Sequence, residues 1–234
     1  APFHADLKAD VLKRWPGGLT EYYGMTEGGG TCILQAHLHP TKLHTVGQPA
    51  EGHDIRLIDE QGREVAKGEA GEVVGRSGAM MTGYHKQPAK TAEAEWYDDQ
   101  GNRFIRTGDI GRFDADGFLI LFDRKKDMII SGGFNVYPSQ VEQVIWGHPA
   151  VRDCAVIGVP DEKWGEAVKA CVQLKPGMKV GAEELIEHAK ALIGSMKAPK
   201  SVDFIEVLPR NPSGKILRKD LREPYWKGMT RRVG

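Results

Sequence analysis

The sequence has few cysteines and no long apolar run. Cys32, Cys154 and Cys171 are the only cysteines in 234 residues, and their odd number and wide spacing argue against a disulfide framework and fit a reducing cytosol. No apolar run approaches the roughly 18 residues that a bilayer-spanning helix needs. A CxxC pair for zinc and a GxxxxGKS/T phosphate loop are also missing. These absences predict a cytoplasmic protein without a transmembrane segment.

Net charge is absent overall, because 32 basic residues balance 32 acidic ones. The halves differ: residues 1–123 carry a net charge of −6 and residues 124–234 a net charge of +6. From Lys197 onward, ten basic residues face four acidic ones, a tail that suits either a polyanionic ligand or a surface that pairs with the acidic half. The tail lacks interleaved aromatic residues, which argues against nucleic acid as the partner.

The start of the chain reads as the interior of a domain. "APFHADLKADVLKRW" lacks the charged-then-apolar layout of a signal peptide. Its apolar spacing predicts a helix that Pro16 and Gly17 end, and "LTEYYGMTE" predicts a short buried strand. Residues 1–44 therefore look like the end of an α/β subdomain, and we expect the chain to be a fragment of a longer protein.

The remaining sequence predicts two further parts. Residues 45–123 contain short β-rich runs separated by turns, the pattern of a small β-barrel or sandwich. Residues 124–234 read as a hairpin turning at Gly132-Gly133, then a helix with a capping box between Ser139 and Glu142, two strands, a second helix and a last strand. The second helix is predicted to be amphipathic, with one apolar side formed by Leu185, Ile186, Ala189, Leu192 and Ile193. The predicted fold class is α+β, ending in a compact βαββαβ domain that begins near Asp123–Lys126.

Two acidic positions stand out for chemistry. Glu27 lies in "YYGMTEGGG", where glycines permit close approach of a ligand and a carboxylate can hold Mg²⁺. Asp109 in "TGDIG" can accept hydrogen bonds from a vicinal diol such as ribose. Taken alone, each motif is equally compatible with an ordinary turn.

Two cationic positions complement them. Arg124, at the predicted domain boundary, can reinforce a ribose or phosphate contact or simply belong to a charged linker. Lys215 follows a Pro-Ser-Gly turn in "NPSGKILRKDL". An ammonium there can offset the negative charge that develops on phosphoryl and carboxylate oxygens, although a surface lysine is the simpler interpretation.

The order of the motifs is more specific than any one of them. "YYGMTE", "GYHKQPAKTAEA", "RTGDIGRFDADGFLILFDRKKDMIISGGFNVYPSQVE", "DEKWGEAV" and "PRNPSGKILRKDL" together resemble the adenylate-forming acyl-CoA synthetase family over essentially the whole chain. The resemblance implies that ATP and a carboxylic acid give an acyl-adenylate and pyrophosphate, and that CoA then displaces AMP to give a thioester.

The resemblance assigns roles in the first step by position. It implies that Tyr23 packs near adenine, that Thr26 contacts phosphate and that Glu27 holds Mg²⁺. It implies further that Asp109 binds the ribose hydroxyls with help from Arg124.

The resemblance also implies a moving domain. Lys126 matches the hinge of a mobile C-terminal domain, residues 124–234, and Lys215 matches the lysine that serves adenylation. Residues 1–123 match the C-terminal part of the large N-terminal domain. For the second step, the implied residues lining the pantetheine tunnel and holding the CoA nucleotide are Gly132, Gly133, Trp164 and Lys200.

One family feature is missing from the sequence. The Ser/Thr/Gly-rich phosphate loop lies upstream of the "YGxTE" motif in the family, and nothing here matches it. We therefore expect this chain alone not to turn over, and its missing partner to be the N-terminal part of the same protein. Two alternatives stay open: an adenylation domain that loads a carrier protein, and a non-catalytic nucleotide-binding module. A fatty acid is the preferred substrate.

Overall fold

The computed structural model describes residues 3–212 and 214–229. The chain divides into two compact units between Phe122 and Asp123. Helices and antiparallel strands are mixed in the way that the predicted α+β class requires, and that prediction is confirmed. Within the described ranges, no helix combines the length and the apolar character needed to cross a membrane. The assignment of residues 1–123 and 124–234 to a large and a mobile domain of a longer enzyme stays a prediction.

The first unit opens with a helix beside a small antiparallel sheet. Lys8 of the helix is 2% exposed, forms an ion pair with Glu21 of the first strand and donates to the backbone carbonyl of Thr45 at 2.8 Å. This buried pair fixes the helix against the strand that carries Tyr23. The elements are α1 (Ala5–Arg14), β1 (Thr20–Gly24), β2 (Thr31–Gln35) and β3 (Gln48–Pro49).

A second, five-stranded antiparallel sheet forms the rest of this unit as a curled half-barrel. Its strands follow the order β4-β5-β7-β6, and β8 pairs with β7. The short helix α2 and the strands β2, β3 and β6 were not predicted from the sequence. The elements are β4 (Asp54–Ile58), β5 (Gly71–Arg76), α2 (Pro88–Ala94), β6 (Glu95–Tyr97), β7 (Arg103–Phe113) and β8 (Leu119–Arg124).

The second unit is a five-stranded mixed sheet with helices. The predicted hairpin at Gly132-Gly133 is present, with Phe134 paired to Ser131. The sheet order is β10-β9-β12-β11, and β13 joins β12 in parallel. The elements are β9 (Ile129–Ser131), β10 (Phe134–Val136), α3 (Pro138–Trp146), β11 (Val151–Asp161), β12 (Gly165–Leu174), α4 (Ala182–Lys197), β13 (Ser201–Phe204) and α5 (Arg218–Arg222).

The central strands of this sheet are buried on both faces. Cys154 and Val156 of β11 point into the core formed with α3 and α4, whereas Ala155 and Ile157 point into a second cluster. Ile216 from the chain's tail packs against that second cluster. Burial on both faces explains why "CAVIGV" is a continuous apolar run rather than an alternating one.

The three cysteines are buried and form no disulfides, as predicted. Burial raises the pKa of Cys171 to about 11, so its thiol stays protonated at neutral pH.

Two local predictions in the second unit were wrong. The capping box does not form, because α3 begins at Pro138 and its N-cap, Tyr137, makes no side-chain cap hydrogen bond. The backbone N–H of Ser139 instead donates to Asp123 at 2.8 Å, and Glu142 turns into the core. Leu192, expected on the apolar face of α4, is 62% exposed, while Leu185 and Ala189 of that helix are fully buried.

Candidate functional site

Tyr23 and Asp109 meet in the first unit. Tyr23 lies at a half-buried position of β1, and its hydroxyl donates to Oδ2 of Asp109 at 2.7 Å. Burial raises the pKa of Tyr23, and the negative charge of Asp109 raises it further. The phenol therefore stays protonated and acts as a hydrogen-bond donor to the carboxylate.

Asp109 lies in an irregular part of β7. The register shifts between Glu72 and Val74 of β5, so that the segment Thr107–Asp109 has one residue opposite it, and Gly108 takes a φ of +71°. The hydroxyl of Thr107 accepts the N–H of Asp109 at 3.0 Å and donates to the carbonyl of Val73 at 2.9 Å. Irregularities of this kind change the direction of a side chain and are common in strands next to active sites. The aspartate is held in a strand, not in a solvated turn, with the acceptors a ribose diol requires.

Thr26 and Glu27 lie in the turn that follows β1. The N–H of Gly28 donates to the carbonyl of Met25 at 3.1 Å, which closes the turn and leaves Thr26 exposed. Gly28 has a φ of +76°, and a Cβ there would lie 2.1 Å from the carbonyl oxygen of Ala79. Only glycine fits this position.

Tyr84 holds the carboxylate of Glu27. Its hydroxyl donates to Oε1 of Glu27 at 2.9 Å, and this hydrogen bond and burial raise the pKa of the phenol. The backbone N–H of Tyr84 donates to Oγ1 of Thr91, in helix α2, at 2.9 Å. The N–H of Met81 donates to the carbonyl of Glu27 at 2.9 Å. Main chain and side chain of Glu27 are thus both fixed by the segment that precedes α2.

The residues around Glu27 fit Mg²⁺ bound together with a nucleotide. The described residues contain no cluster of three or more His, Cys, Asp or Glu side chains placed to hold a metal. A Mg²⁺ ion that accompanies ATP takes most of its ligands from phosphates and water and needs only one or two carboxylates from the protein. Glu27, oriented by Tyr84, supplies one such carboxylate.

Arg124 and Lys126 belong to the second unit. Arg124 ends β8, and its carbonyl accepts the N–H of Met128 at 3.2 Å. Lys126 is exposed in the 3₁₀ turn Lys125–Asp127. Asp127 is buried and anchors this turn, whereas Lys125 is half-buried and Lys126 is exposed. A short exposed turn between strands is compatible with a hinge.

The structure brings Gly132, Trp164 and Lys200 together. The N–H of Gly132 donates to the carbonyl of Trp164 at 2.9 Å, and a Cβ on Gly132 would lie 2.5 Å from the indole Cε3. Gly133 is exposed, and a Cβ there would meet no heavy atom within 4 Å. Nζ of Lys200 lies 5.7 Å from the indole centroid, and Nζ of Lys163 lies 5.0 Å from it.

The ammonium of Lys200 is held by the backbone and lies near a second cation. Its ammonium donates to the carbonyl of Ser195 at 2.6 Å, and partial burial, with the positive charge of Lys190, lowers its pKa. Lys197, the other lysine of this segment, donates to Oε1 of Gln140 at 3.2 Å. Lys200 next to the indole is therefore the better candidate of the two for a nucleotide contact.

Lys215 is exposed on a hairpin of the tail. Its backbone N–H donates to Oδ1 of Asn211, and its carbonyl accepts the N–H of the same residue, both at 2.9 Å. The N–H of Gly214 donates to the carbonyl of Asn211 at 2.9 Å, which closes the loop. Arg210 and Ile216 pair across it as an isolated β-bridge. The loop therefore presents the lysine from a defined backbone.

Comparison with known proteins identifies the family. The model for the AMP-binding enzyme matches residues 1–85, and the model for the AMP-binding enzyme C-terminal domain matches residues 140–215. The chain belongs to the AMP-forming acyl-CoA synthetase family. The "YYGMTE" and "NPSGK" motifs of this chain lie inside the two matched regions.

Individual relatives agree with this assignment. The chain is 40% identical to the fatty acid–[acyl-carrier-protein] ligase ScoC of Streptomyces coeruleorubidus, over 91% of its own length and 41% of that protein. It resembles ATP-bound MatB of Rhodopseudomonas palustris with a TM-score of 0.86 and 32% identity, covering 98% of this chain and 45% of that one.

A solved structure with both nucleotide and metal is also similar. The o-succinylbenzoate coenzyme A synthetase MenE of Bacillus subtilis, in complex with ATP and magnesium ion, gives a TM-score of 0.81 at 31% identity, over 94% of this chain and 44% of that one. The chain therefore spans less than half the length of these relatives.

Two residues with structural importance for the site were not assigned from the sequence. Tyr84 lies in "GYHKQPAKTAEA", and Arg218 in "PRNPSGKILRKDL", both of which were part of the family resemblance. Pro88 at the first turn of α2 was a usable signal for the helix whose Thr91 holds Tyr84. Glu142, which binds Arg218, lies 76 residues away in the sequence, so no local sequence pattern predicts this contact.

Proposed function

We propose that the chain is part of a cytoplasmic enzyme that activates a carboxylic acid with ATP and transfers the acyl group to CoA. The observation that carries the proposal is the hydrogen bond between Tyr23 and Asp109, which unites two of the family's nucleotide-binding motifs from opposite ends of the first unit. In this proposal Asp109 binds the ribose hydroxyls, Tyr23 packs near the adenine and Thr26 contacts phosphate. Arg124 assists at the ribose.

The adenylation step joins two anions, so it requires positive charge. A carboxylate oxygen attacks the α-phosphorus, the bond to the bridging oxygen of pyrophosphate breaks, and pyrophosphate leaves. Lys215 offsets the charge that accumulates on the oxygens. Glu27 would hold Mg²⁺, which when bound neutralises phosphate charge. Tyr84 keeps the Glu27 carboxylate oriented whether or not Mg²⁺ is bound.

The second step requires a thiol nucleophile and a different set of residues. The CoA sulfur attacks the acyl carbon of the adenylate and AMP leaves. We assign Gly132 and Gly133 to the wall of the pantetheine tunnel, Trp164 to its border and Lys200 to the CoA nucleotide. The close approach of Gly132 to the indole, and of Lys200 to the same ring, supports this assignment. Lys126 is the hinge between the two half-reactions.

We propose a fatty acid as the substrate. The relative ScoC is named for a fatty acid. The glycines after Glu27 give no support, because they pack against Ala79, Ile105 and Ile55 and leave no open space beside them. MenE is named for an aryl acid, so the acid has to be identified by experiment. The full reaction is expected of a longer protein that also supplies the phosphate loop and acyl pocket. The 234-residue chain alone is expected to release no pyrophosphate.

The deciding experiment is acid-dependent exchange of labelled pyrophosphate into ATP by the longer protein, followed by mass spectrometry of products from a panel of fatty and aryl acids with CoA. Formation of acyl-CoA from a fatty acid supports the proposal. ATP binding without exchange for any acid would contradict it and favour a nucleotide-binding module. The Lys215→Ala variant should lose exchange.

A carrier-protein-loading adenylation domain is the second candidate, because ScoC is named for an acyl-carrier protein. The exposed Lys200 beside Trp164 favours CoA, since a carrier protein presents its phosphopantetheine without the adenosine phosphates. A competition experiment with free CoA and a phosphopantetheinylated carrier at equal concentration distinguishes the two candidate functions. Acylation of CoA supports the synthetase, and acylation of the carrier supports the carrier-protein-loading domain.

A further inference from the structure

The hairpin that bears Lys215 is attached to the body of the second unit on both sides of the lysine. Before the lysine, Arg210 forms an ion pair with Asp153 of β11. After it, Ile216 packs into the apolar cluster beneath the sheet. Arg210 is 43% exposed in its side chain, so its ion pair is screened by water and contributes little.

Arg218, three residues after Lys215, makes a much more enclosed contact. Its Nη2 lies 2.7 Å and 2.8 Å from the two carboxylate oxygens of Glu142, and its Nε lies 3.1 Å from Oε1. The side chains are 19% and 7% exposed. Glu142 also accepts the N–H of Val156 at 2.8 Å. A forked, buried pair of this kind fixes direction as well as distance, because the guanidinium is planar.

The same guanidinium faces the turn that contains Lys126. Nη1 of Arg218 lies 3.7 Å from Oδ2 of Asp127, and Nη1 of Arg222 lies 3.6 Å from Oδ1 of that aspartate. Asp127 is 9% exposed and directly follows Lys126. Arg218 therefore links the tail to helix α3 through Glu142, which also binds strand β11, and it forms an ion pair with Asp127 of the 3₁₀ turn.

We propose that Arg218 is the positioning residue for Lys215, and that its contacts with Glu142 and Asp127 join the lysine hairpin to the hinge-side turn as one rigid body. This inference rests on the proposed function. It explains how a lysine on an exposed tail can reach a defined position. A rotation at Lys126 moves the 3₁₀ turn and the lysine hairpin together, because Arg218 binds both Asp127 of the turn and Glu142 of α3.

The test uses the Arg218→Lys variant, which keeps a cation but loses the fork. Acid-dependent pyrophosphate exchange should fall roughly 10- to 100-fold, since small misplacement of a catalytic group has effects of this order. Thioester formation from synthetic acyl-adenylate and CoA should stay within about twofold, because Lys215 is assigned only to adenylation. Lys219→Gln, which changes an exposed neighbour in α5, is the matched control and should leave both half-reactions unchanged.

A second measurement is independent of activity. Hydrogen exchange of the 234-residue chain should show faster exchange of amides 210–217 in Arg218→Lys, with β12 still protected. Glu142→Gln, which is nearly isosteric and can still accept the N–H of Val156, should give the same local pattern to a smaller degree.

The outcomes separate the two proposals. If the unaltered longer protein shows no acid-dependent exchange, the proposed function fails. If that protein is active and Arg218→Lys slows both half-reactions equally, or slows neither, the positioning role is overturned. Faster exchange throughout the second unit would likewise overturn it, because the arginine would then serve the fold as a whole.

Discussion

The hydroxyl of Tyr23 lies 2.7 Å from the carboxylate of Asp109, although 86 residues separate them in the sequence. The contact joins the small sheet of the first unit to the irregular part of β7. Because burial and the aspartate both keep the phenol protonated, the tyrosine donates throughout the neutral pH range. The pair is thus a fixed element of the proposed nucleotide site.

Replacing Tyr23 by phenylalanine tests this element. The Tyr23→Phe variant leaves the Asp109 carboxylate without the donor that positions it, so the KM for ATP of the longer protein should rise several-fold. The measurement is pyrophosphate exchange at varied ATP. Tyr22→Phe is the matched control, because Tyr22 is the adjacent residue of β1 and is 69% exposed. An unchanged KM in Tyr23→Phe would remove the Tyr23–Asp109 contact from the nucleotide site.

Tyr84 gives a second prediction, which concerns the metal. Without the donor at 2.9 Å, the carboxylate of Glu27 loses its fixed orientation. Tyr84→Phe should therefore need several-fold more Mg²⁺ for half-maximal pyrophosphate exchange, as expected for loss of an outer hydrogen bond to a metal ligand.

The control for Tyr84 is another tyrosine of the same unit. Tyr97 donates to Glu95 at 3.1 Å but is 53% exposed and lies on β6. Tyr97→Phe should leave the Mg²⁺ requirement unchanged. Equal requirements in all three proteins would argue that Tyr84 supports only the local fold.

Gly132 and Gly133 form a natural pair for testing the second half-reaction. Both have a left-handed backbone, with φ of +59° and +83°, so alanine introduces similar strain at each. Only at Gly132 would the new Cβ also collide with Trp164, at 2.5 Å from Cε3. Gly132→Ala should slow thioester formation at least several-fold more than Gly133→Ala, while both retain adenylation.

The comparison is made with purified acyl-adenylate and varied CoA. A larger effect on the KM for CoA than on adenylation would place the displaced indole in the path of CoA. If Gly132→Ala and Gly133→Ala behave alike, backbone strain alone explains the loss and the tunnel assignment is wrong.

The sequence predicted elements that depend on local signals. The hairpin was predicted from Gly132 and Gly133, and helix α3 from a capping box; the structure contains both elements, although the box itself does not form. Asp109 was chosen for its chemistry and for its place in a family motif, whereas Tyr23 was assigned from the family motif alone. Their mutual contact was not predicted, because nothing in either motif encodes the register that brings β1 to β7.

The capping box shows why a local rule fails. Ser139 and Glu142 have the correct spacing, but the rule treats the glutamate as free to bend back to the helix start. In the fold its carboxylate is taken by Arg218 and by Val156, both distant in sequence. A buried charge must be paired, so this tertiary contact overrides the local alternative. The same reasoning explains why Arg218 escaped notice: its importance depends entirely on residues it meets after folding.

The last prediction concerns acid stability and Asp203. Nζ of Lys169 on β12 donates to this carboxylate of β13 at 2.7 Å, and Tyr225 also hydrogen-bonds to it. These two hydrogen bonds, of which the one from Lys169 has the larger effect, lower the pKa of Asp203 below its usual value. A carboxylate whose pKa is lower in the folded state stabilises the fold above its unfolded pKa of about 3.9, and loses that contribution as pH falls through the folded value. Because the side chain is 40% exposed, the contribution should be at most about 1 kcal/mol.

Asp203→Asn should therefore be less stable than the unaltered chain at pH 6 and equally stable near pH 2, as measured by urea unfolding at each pH. Asp220→Asn, on the exposed face of α5, is the control and should show no such pH-dependent difference. A constant difference between Asp203→Asn and the unaltered chain at all pH values would show that the asparagine disturbs packing and that the charge of Asp203 contributes nothing.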